Sequence, residues 1–407
     1  MNELTGPVGD FVTKNDIKIR NTISILRLLL KKEYSRVELA SVLGLSKAGI
    51  SGIISDLLEQ KLIVETGRGV SRETGGKKPI FLSINKDAFT IMAIHFDHKR
   101  CLLALSDFLG NPIQWKWFPI IIHDDYTKTF DHILENVQEF LQIHKDFLDT
   151  TRILACGISL KGLVDSDSGI LRFTAANKNW TNIPIKDYFS RVLDMEIFVD
   201  NDARSIMCLD LFSSQQNKPD DVNACMCIEE GLGSSVTIGN RIIRGAYSCA
   251  VNYAHSLIDP NGPVCICGKR GCVEAHCSID ALIRKSQNLT GDASLTYEKI
   301  VQLYHENDPA LSQLIKDDFC KWIGIAMGNF TQIFNPSILT VYLDQQLLDE
   351  PLRQLVMQHY KENLNAIASQ CEVKFRQNGK ELHLRAAAAL VLNNYLSTTY
   401  HSTLGRR

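Results

Sequence analysis

Residues 245–278 read GAYSCAVNYAHSLIDPNGPVCICGKRGCVEAHCS, with Cys265, Cys267 and Cys272 inside eight residues and His255 ten positions earlier. Thiolates and an imidazole together close a tetrahedral shell around zinc. Gly268 and Gly271 let the backbone wrap an ion tightly. Three cysteines and one histidine leave no open coordination position, so the pattern describes a structural zinc site. A reduced, metal-free loop is the alternative. Cys249 and Cys277 fall outside the spacing and read as packing residues. The remaining seven of the twelve cysteines are scattered, mostly in apolar stretches such as Cys156 in ILACGISL, and read as reduced buried thiols.

Around this stretch the pattern is mixed α/β. IMAIHFD (91–97) and CLLALSD (101–107) read as paired strands, and ILACGISL (153–160) and EIFVD (196–200) as further buried strands. A helical stretch lies between Tyr126 and Phe147. ACMCIEEGLGSSVTIG (224–239) and SILTVYL (337–343) supply strands to a second half. Two α/β lobes facing a cleft accommodate this order. The segment ELHLRAAAALVLNNYL (381–396) is helical and rich in small residues, and is expected to pack on the first lobe.

The first 85 residues follow a different plan. Ile19, Ile23, Leu26 and Leu30 recur at helical spacing, with Arg20 and Arg27 interleaved. In SRVELASVLGLSKAGISGIISDLLEQKLI (35–63), Ser35 and Glu38 form a capping-box pattern that starts a short helix. Gly44 marks a tight turn, and Ser46 caps a second helix. That helix aligns Ile50, Ile53, Ile54, Leu57 and Leu58 along one face. Its other face begins with Ser46, Lys47, Ala48 and Ser51, small or cationic residues that suit close approach to base edges in a major groove. Next, ETGRGVSRETGGKKP (65–79) and the strand-like residues Ile80 to Ile84 describe a wing. Its cations Arg68, Arg72, Lys77 and Lys78 are candidates for phosphate or minor-groove contacts.

Charge supports the division. Residues 1–85 hold 13 Lys and Arg against 9 Asp and Glu, leaving 31 against 37 in the rest. A basic head on an acidic body suits nucleic-acid binding at one end. No apolar run nears the ~18 residues of a membrane span, and no secretory signal opens the chain, so a cytoplasmic protein without membrane contact is expected.

The stretches GLVDSDSGILRFTAANKNWTNIPI (162–185), VDNDARS (199–205) and residues 245–278 resemble the ROK family of repressors, open reading frames and sugar kinases. With the N-terminal head, the resemblance runs over essentially the whole chain. It is strongest to the repressor branch, which includes glucose, N-acetylglucosamine and xylose regulators. The resemblance implies a winged helix-turn-helix (1–85) joined to a two-lobed actin-like, sugar-kinase-like fold of the ribonuclease H class. The first lobe would span 86–205, completed by the C-terminal helix 381–400, and the second lobe with the zinc motif 206–380. It places zinc on His255, Cys265, Cys267 and Cys272, and a sugar on Gly162, Thr174, Asn201, Asp202, Asn252, His255 and Glu274. Capping of the following helix would by itself account for an aspartate at 202. Asn252 stands where the family has glutamate, exchanging a strong acceptor for an amide and putting the sugar preference in question.

Kinase members open this domain with Asp-x-Gly-Gly-Thr, whose glycines admit phosphates to the backbone. Here His95 stands at the aspartate and Asp97-His98-Lys99 at Gly-Gly-Thr, while Leu343-Asp344 replaces a later Gly-Gly turn. Only Gly231 and Gly233 of a second phosphate loop remain, behind the acidic pair Glu229-Glu230. The expectation is a sugar-responsive repressor without ATP or kinase activity, acting on a roughly palindromic operator as a homodimer or tetramer. Control by a protein partner, such as a sugar-transport component, is the alternative; a working sugar kinase is the third reading.

Overall fold

The computed structural model describes residues 14–68, 79–213, 220–366 and 368–397. The head starts with helix α1 (Lys14–Lys31), followed by α2 (Arg36–Leu43) and α3 (Lys47–Glu59). The capping box at Ser35 and Glu38 is present in both directions, and Gly44 takes the left-handed conformation (φ 63°) that ends α2. Ser46 caps α3 by accepting from the Gly49 N–H at 3.1 Å. Ile50, Ile53, Ile54 and Leu57 are buried and Leu58 half-buried, so the anticipated stripe is the core face. Ile63–Arg68 and Ile80–Ile84 pair antiparallel, and Tyr34–Ser35 adds a third short strand, giving the sheet beside a helix-turn-helix that defines a winged head.

The body has two lobes. In the first, a five-stranded sheet runs in the order Ile197–Asn201, Ile153–Leu160, Thr90–Phe96, Arg100–Ser106, Pro112–Pro119. The first three are mutually parallel, whereas the last two continue as antiparallel hairpins. The second lobe repeats the plan with the order Arg241–Ile242, Leu232–Ile238, Val222–Ile228, Ile338–Leu343, Glu372–Gln377. Both sheets have the mixed order of the actin-like, ribonuclease H class.

Two helices form the seam. The helix Asp202–Ser213 inserts Ala203, Ile206 and Met207 among Cys225, Cys227 and Tyr342 of the second sheet. The C-terminal helix Lys380–Tyr395 lies on the first sheet, as its small residues suggested. There the approach is so close that a Cβ on Gly157 would sit 2.0 Å from the Ala387 carbonyl oxygen. Helix α1 rests across both, because Ile25 and Leu29 give it a second buried stripe beside Ile23 and Leu26. No helix among the described residues is long and apolar enough to cross a membrane.

Candidate ligand cleft and metal centre

Between the lobes lies a cleft of about 490 Å³, and all seven residues assigned to a sugar from the sequence line it. They come from distant parts of the chain. Gly162 follows the strand Ile153–Leu160, with φ at 140° and no room for a Cβ, which would lie 2.8 Å from the Phe173 carbonyl. The absent side chain brings the buried Thr174 against this turn, 3.3 Å from the same point.

Asn201 and Asp202 sit where a central strand gives way to the seam helix. Asn201, not Asp202, makes the capping bond, its Oδ1 accepting from the Arg204 N–H at 3.3 Å. Asp202 Oδ1 accepts from Asn201 Nδ2 and from the Ala203 N–H, both at 2.8 Å. Asn201 Nδ2 also donates to the Gly162 carbonyl at 3.0 Å, joining the two turns. The usual capping bond thus falls to Asn201, while Asp202 satisfies the first-turn N–H of Ala203. Burial pushes the Asp202 carboxyl above its usual range, against the pull of Lys161, with Glu229 adding to the rise. A buried carboxylate facing a polar cleft is an acceptor for hydroxyls.

Below it, Asp200 is fully buried between two guanidinium groups, bonding Arg204 Nε at 2.6 Å and Arg244 Nη1. Arg204 continues to the Ser248 carbonyl at 2.9 Å and to the Val164 carbonyl. This network fixes the loop that carries Asn252, which is exposed at the cleft edge.

The metal residues also converge. One donor atom from each of His255, Cys265, Cys267 and Cys272 lies within 4.8 Å of the others. Cys265 Sγ is 3.6 Å from His255 Nδ1, and the Cys267 and Cys272 sulfurs are 3.7 Å apart. Zn–S bonds of about 2.3 Å put the corners of a tetrahedron ~3.8 Å apart, so donor set and spacing both fit zinc. With Nδ1 turned to the sulfurs, Nε2 of His255 is the nitrogen left for the cleft. Glu274 accepts from the Leu232 N–H at 3.1 Å, and its other oxygen is 3.6 Å from Cys265 Sγ. Cys277 is fully buried, as expected. Cys249 is exposed on the loop beside the cleft, which corrects its reading as a packing residue.

The side of the cleft lined by Asp97, Lys161, Glu229 and Glu230 is filled by charge. Asp97 closes the hairpin turn, accepting from the N–H groups of Lys99 (2.7 Å) and Arg100 (2.9 Å) and pairing with Arg100 Nε at 3.1 Å. Lys161 from the first lobe reaches Glu229 (3.3 Å) and Glu230 (2.9 Å) of the second. His383 of the C-terminal helix bonds Glu229 at 2.7 Å and stacks on His95 with ring centres 4.0 Å apart. Burial opposes ionisation of Glu229, yet His383 and Lys161 outweigh it and hold the carboxyl well below its usual value. Burial likewise opposes the His383 charge, but Glu229 raises it. His95, fully buried beneath that cation, is pushed well down. Gly231 and Gly233 have packing reasons of their own. A Cβ would lie 2.9 Å from Glu274 Oε2 at the first and 3.0 Å from the Ala203 Cβ at the second.

Of the head residues singled out in the sequence, three are placed on the surface. Ser46, Ala48 and Ser51 lie on the exposed face of α3, which Lys47 opens. The side chains of Lys47 and Arg68, and all of Arg72, Lys77 and Lys78, lie outside the described residues.

Residues 122–394 match the ROK family. The chain belongs to the ROK family. It is 26% identical over 363 residues to the xylose repressor of Caldicellulosiruptor bescii, covering 84% of this chain and 88% of that protein. A crystal structure of a ROK family transcriptional regulator, a homologue of the Escherichia coli Mlc protein, superposes with a TM-score of 0.75 at 21% identity, covering 94% of this chain and 97% of that one. The ROK family glucokinase from Streptomyces griseus, in complex with glucose and AMPPNP, reaches 0.60 at 20% identity over 74% of this chain and 98% of its own.

Lys161 and His383 escaped the sequence reading. Neither belongs to a local motif, and their common partner, Glu229, was legible only as an acidic pair. The signal available was charge placed at the end of a buried strand, where a partner must be found.

Proposed function

We propose that this ROK protein is a transcriptional repressor that binds operator DNA through its winged head and responds to a sugar held in the cleft. The observation that carries this reading is the combination of an exposed recognition-helix face with a cleft whose two sides have diverged. One side keeps Asn201, Asp202, His255 and Glu274, a mix of donors and acceptors suited to hydroxyl groups. The other holds the Lys161, Glu229, Glu230 and His383 network in place of open backbone N–H groups. Anionic phosphates there would meet Asp97, Glu229 and Glu230, so we take the protein to bind its sugar without phosphorylating it.

In this account Asp202 and Asn201 accept from and donate to adjacent hydroxyls, while Glu274 and His255 approach from the second lobe. Gly162 and Thr174 shape the floor, and Asn252 selects at the rim. Zinc, where bound, ties the His255 loop to the Cys265–Cys272 loop and so fixes two cleft residues from one centre. Two copies of the chain place their α3 helices in successive major grooves of a roughly palindromic operator, with Ser46, Lys47, Ala48 and Ser51 at the bases. The wing cations Arg68, Arg72, Lys77 and Lys78 add phosphate affinity. D-xylose is the first sugar to try, since relatives of similar length are named xylose repressors.

The Asp202→Ala variant tests the assignment. It is expected to bind operator within about threefold of wild type and to lose the sugar response, a drop of at least tenfold in apparent sugar affinity for one buried charged acceptor. A normal sugar response in this variant contradicts the placement of the sugar.

A further inference from the structure

The head is not simply tethered to the body; α1 lies across the seam between the lobes. One of the two helices beneath it, Asp202–Ser213, is attached to the second lobe. Its Asp210 accepts from the Tyr342 hydroxyl at 2.6 Å and pairs with Arg376 at 3.3 Å, and its Ala203, Ile206 and Met207 share a core with Cys225 and Cys227. The other, Lys380–Tyr395, is attached to the first lobe, where Ala387 leaves no space above Gly157. Each helix begins at the cleft. Asp202 opens the first, and His383, in the first turn of the second, holds Glu229 of the opposite lobe. Their C-terminal halves lie against α1, with Cys208 and Phe212 on one side and Asn393 and Leu396 on the other.

Arg27 of α1 sits at this junction. Its Nη2 donates to the Leu396 carbonyl at 3.3 Å and lies 3.5 Å from Asn393 Oδ1. The Leu396 carbonyl belongs to the C-terminal end of its helix, where the backbone dipole favours a cation. On its other side α1 itself packs against the seam helix, whose Cys208 and Phe212 share its apolar core. Among the described residues no carboxylate pairs with this half-buried guanidinium, so its position is set by the end of the C-terminal helix. A change in the angle between the lobes displaces one helix relative to the other, and packed helices resist that by moving as units. Any body resting on both must tilt.

We propose that Arg27 is a coupling residue, through which a change of lobe angle at the cleft is passed to the DNA-binding head. This rests on the repressor reading above and adds its route of transmission. Arg27 touches neither sugar nor DNA in this arrangement; it acts by holding α1, which packs on the seam helix, to the end of the C-terminal helix.

The experiment compares wild type, Arg27→Met and Arg27→Lys, each as the full chain, by operator anisotropy with and without D-xylose and a panel of other hexoses and pentoses. Calorimetric titration of the same sugars onto the DNA-free proteins is run in parallel. Arg27→Met is expected to keep operator and sugar affinities within about threefold, while the factor by which sugar weakens DNA binding falls to less than a third of wild type. Arg27→Lys, which keeps the cation, is expected to retain most of that factor. Linkage adds a second readout: operator should alter sugar affinity in wild type and leave it nearly unchanged in Arg27→Met. A wild-type release factor in Arg27→Met overturns the proposal. If that variant does not fold, Asn393→Ala, which removes one acceptor from the clamp, should still reduce the factor, and an unchanged factor there overturns it equally. A wild-type protein that binds operator but neither binds nor responds to any sugar sinks the repressor reading itself, and with it this inference.

Discussion

At the scale of single residues, the cleft shows how a buried charge is kept by its neighbours. Glu229 and His383 form a pair in which each holds the other ionised against burial, with Lys161 as a third member. His383 is raised above the unfolded value of about 6.5, so its contribution is complete below that pH and fades as pH rises through the raised value. Glu229 is depressed below about 4.5, so its contribution is complete above that pH and fades only in acid. The pair therefore ties the lobes best in mildly acidic to neutral solution and weakens on the alkaline side. Thermal melts from pH 6 to 9 should show wild-type stability falling by about 1–3 kcal/mol over the His383 titration. His383→Gln should be less stable at pH 6 and flat across the same range. A parallel slope in both proteins would mean that His383 does not carry the alkaline loss. The candidate sugar residues could be named from sequence because they sit in motifs, such as VDND, that carry the family resemblance. Lys161 and His383 could not, because only the folded chain brings them to Glu229.

At the scale of elements, the capping box at Ser35, the left-handed Gly44 and the Ser46 cap are short-range devices, and all three were readable in order. The second stripe on α1, Ile25 and Leu29, has no meaning until a surface exists for it to bury against. A helix apolar on two faces belongs between two partners, and that was the available clue. The zinc loop is the other element whose order depends on few contacts. Its bridges are isolated, Leu257 with Cys272 and Val264 with Arg270, and Val264 and Ile266 are exposed. Such a loop lacks an apolar core of its own, so metal coordination should supply much of its order. Purified protein is expected to carry one zinc per chain by elemental analysis. Chelation or Cys267→Ser should lower the melting temperature by several degrees and weaken sugar binding at least tenfold through His255 and Glu274. Metal-free protein with unchanged stability and sugar binding would show that the loop orders itself.

At the scale of the whole molecule, the two-lobed body carries on one side of its cleft the residues proposed to hold a sugar and on the other a network of buried charges. That network joins first lobe, second lobe and C-terminal helix through His95, Lys161, Glu229 and His383, so lobe angle and seam geometry are linked by construction. In the proposed function the head adds a surface for DNA, docked on that seam through α1. Effector and operator then act on one equilibrium, each biasing the lobe angle that the other prefers. Strand order suggested two α/β lobes and the family resemblance, carried partly by the cysteine motif, implied their class, whereas the docking of head on seam needed the structure. The most direct test is operator binding by the wild-type chain, measured on DNA upstream of its own gene with D-xylose and a sugar panel. The account predicts specific binding that one sugar weakens by at least tenfold, with no ATP consumed. Specific binding unmoved by every sugar, or sugar-dependent ATP turnover, would contradict it.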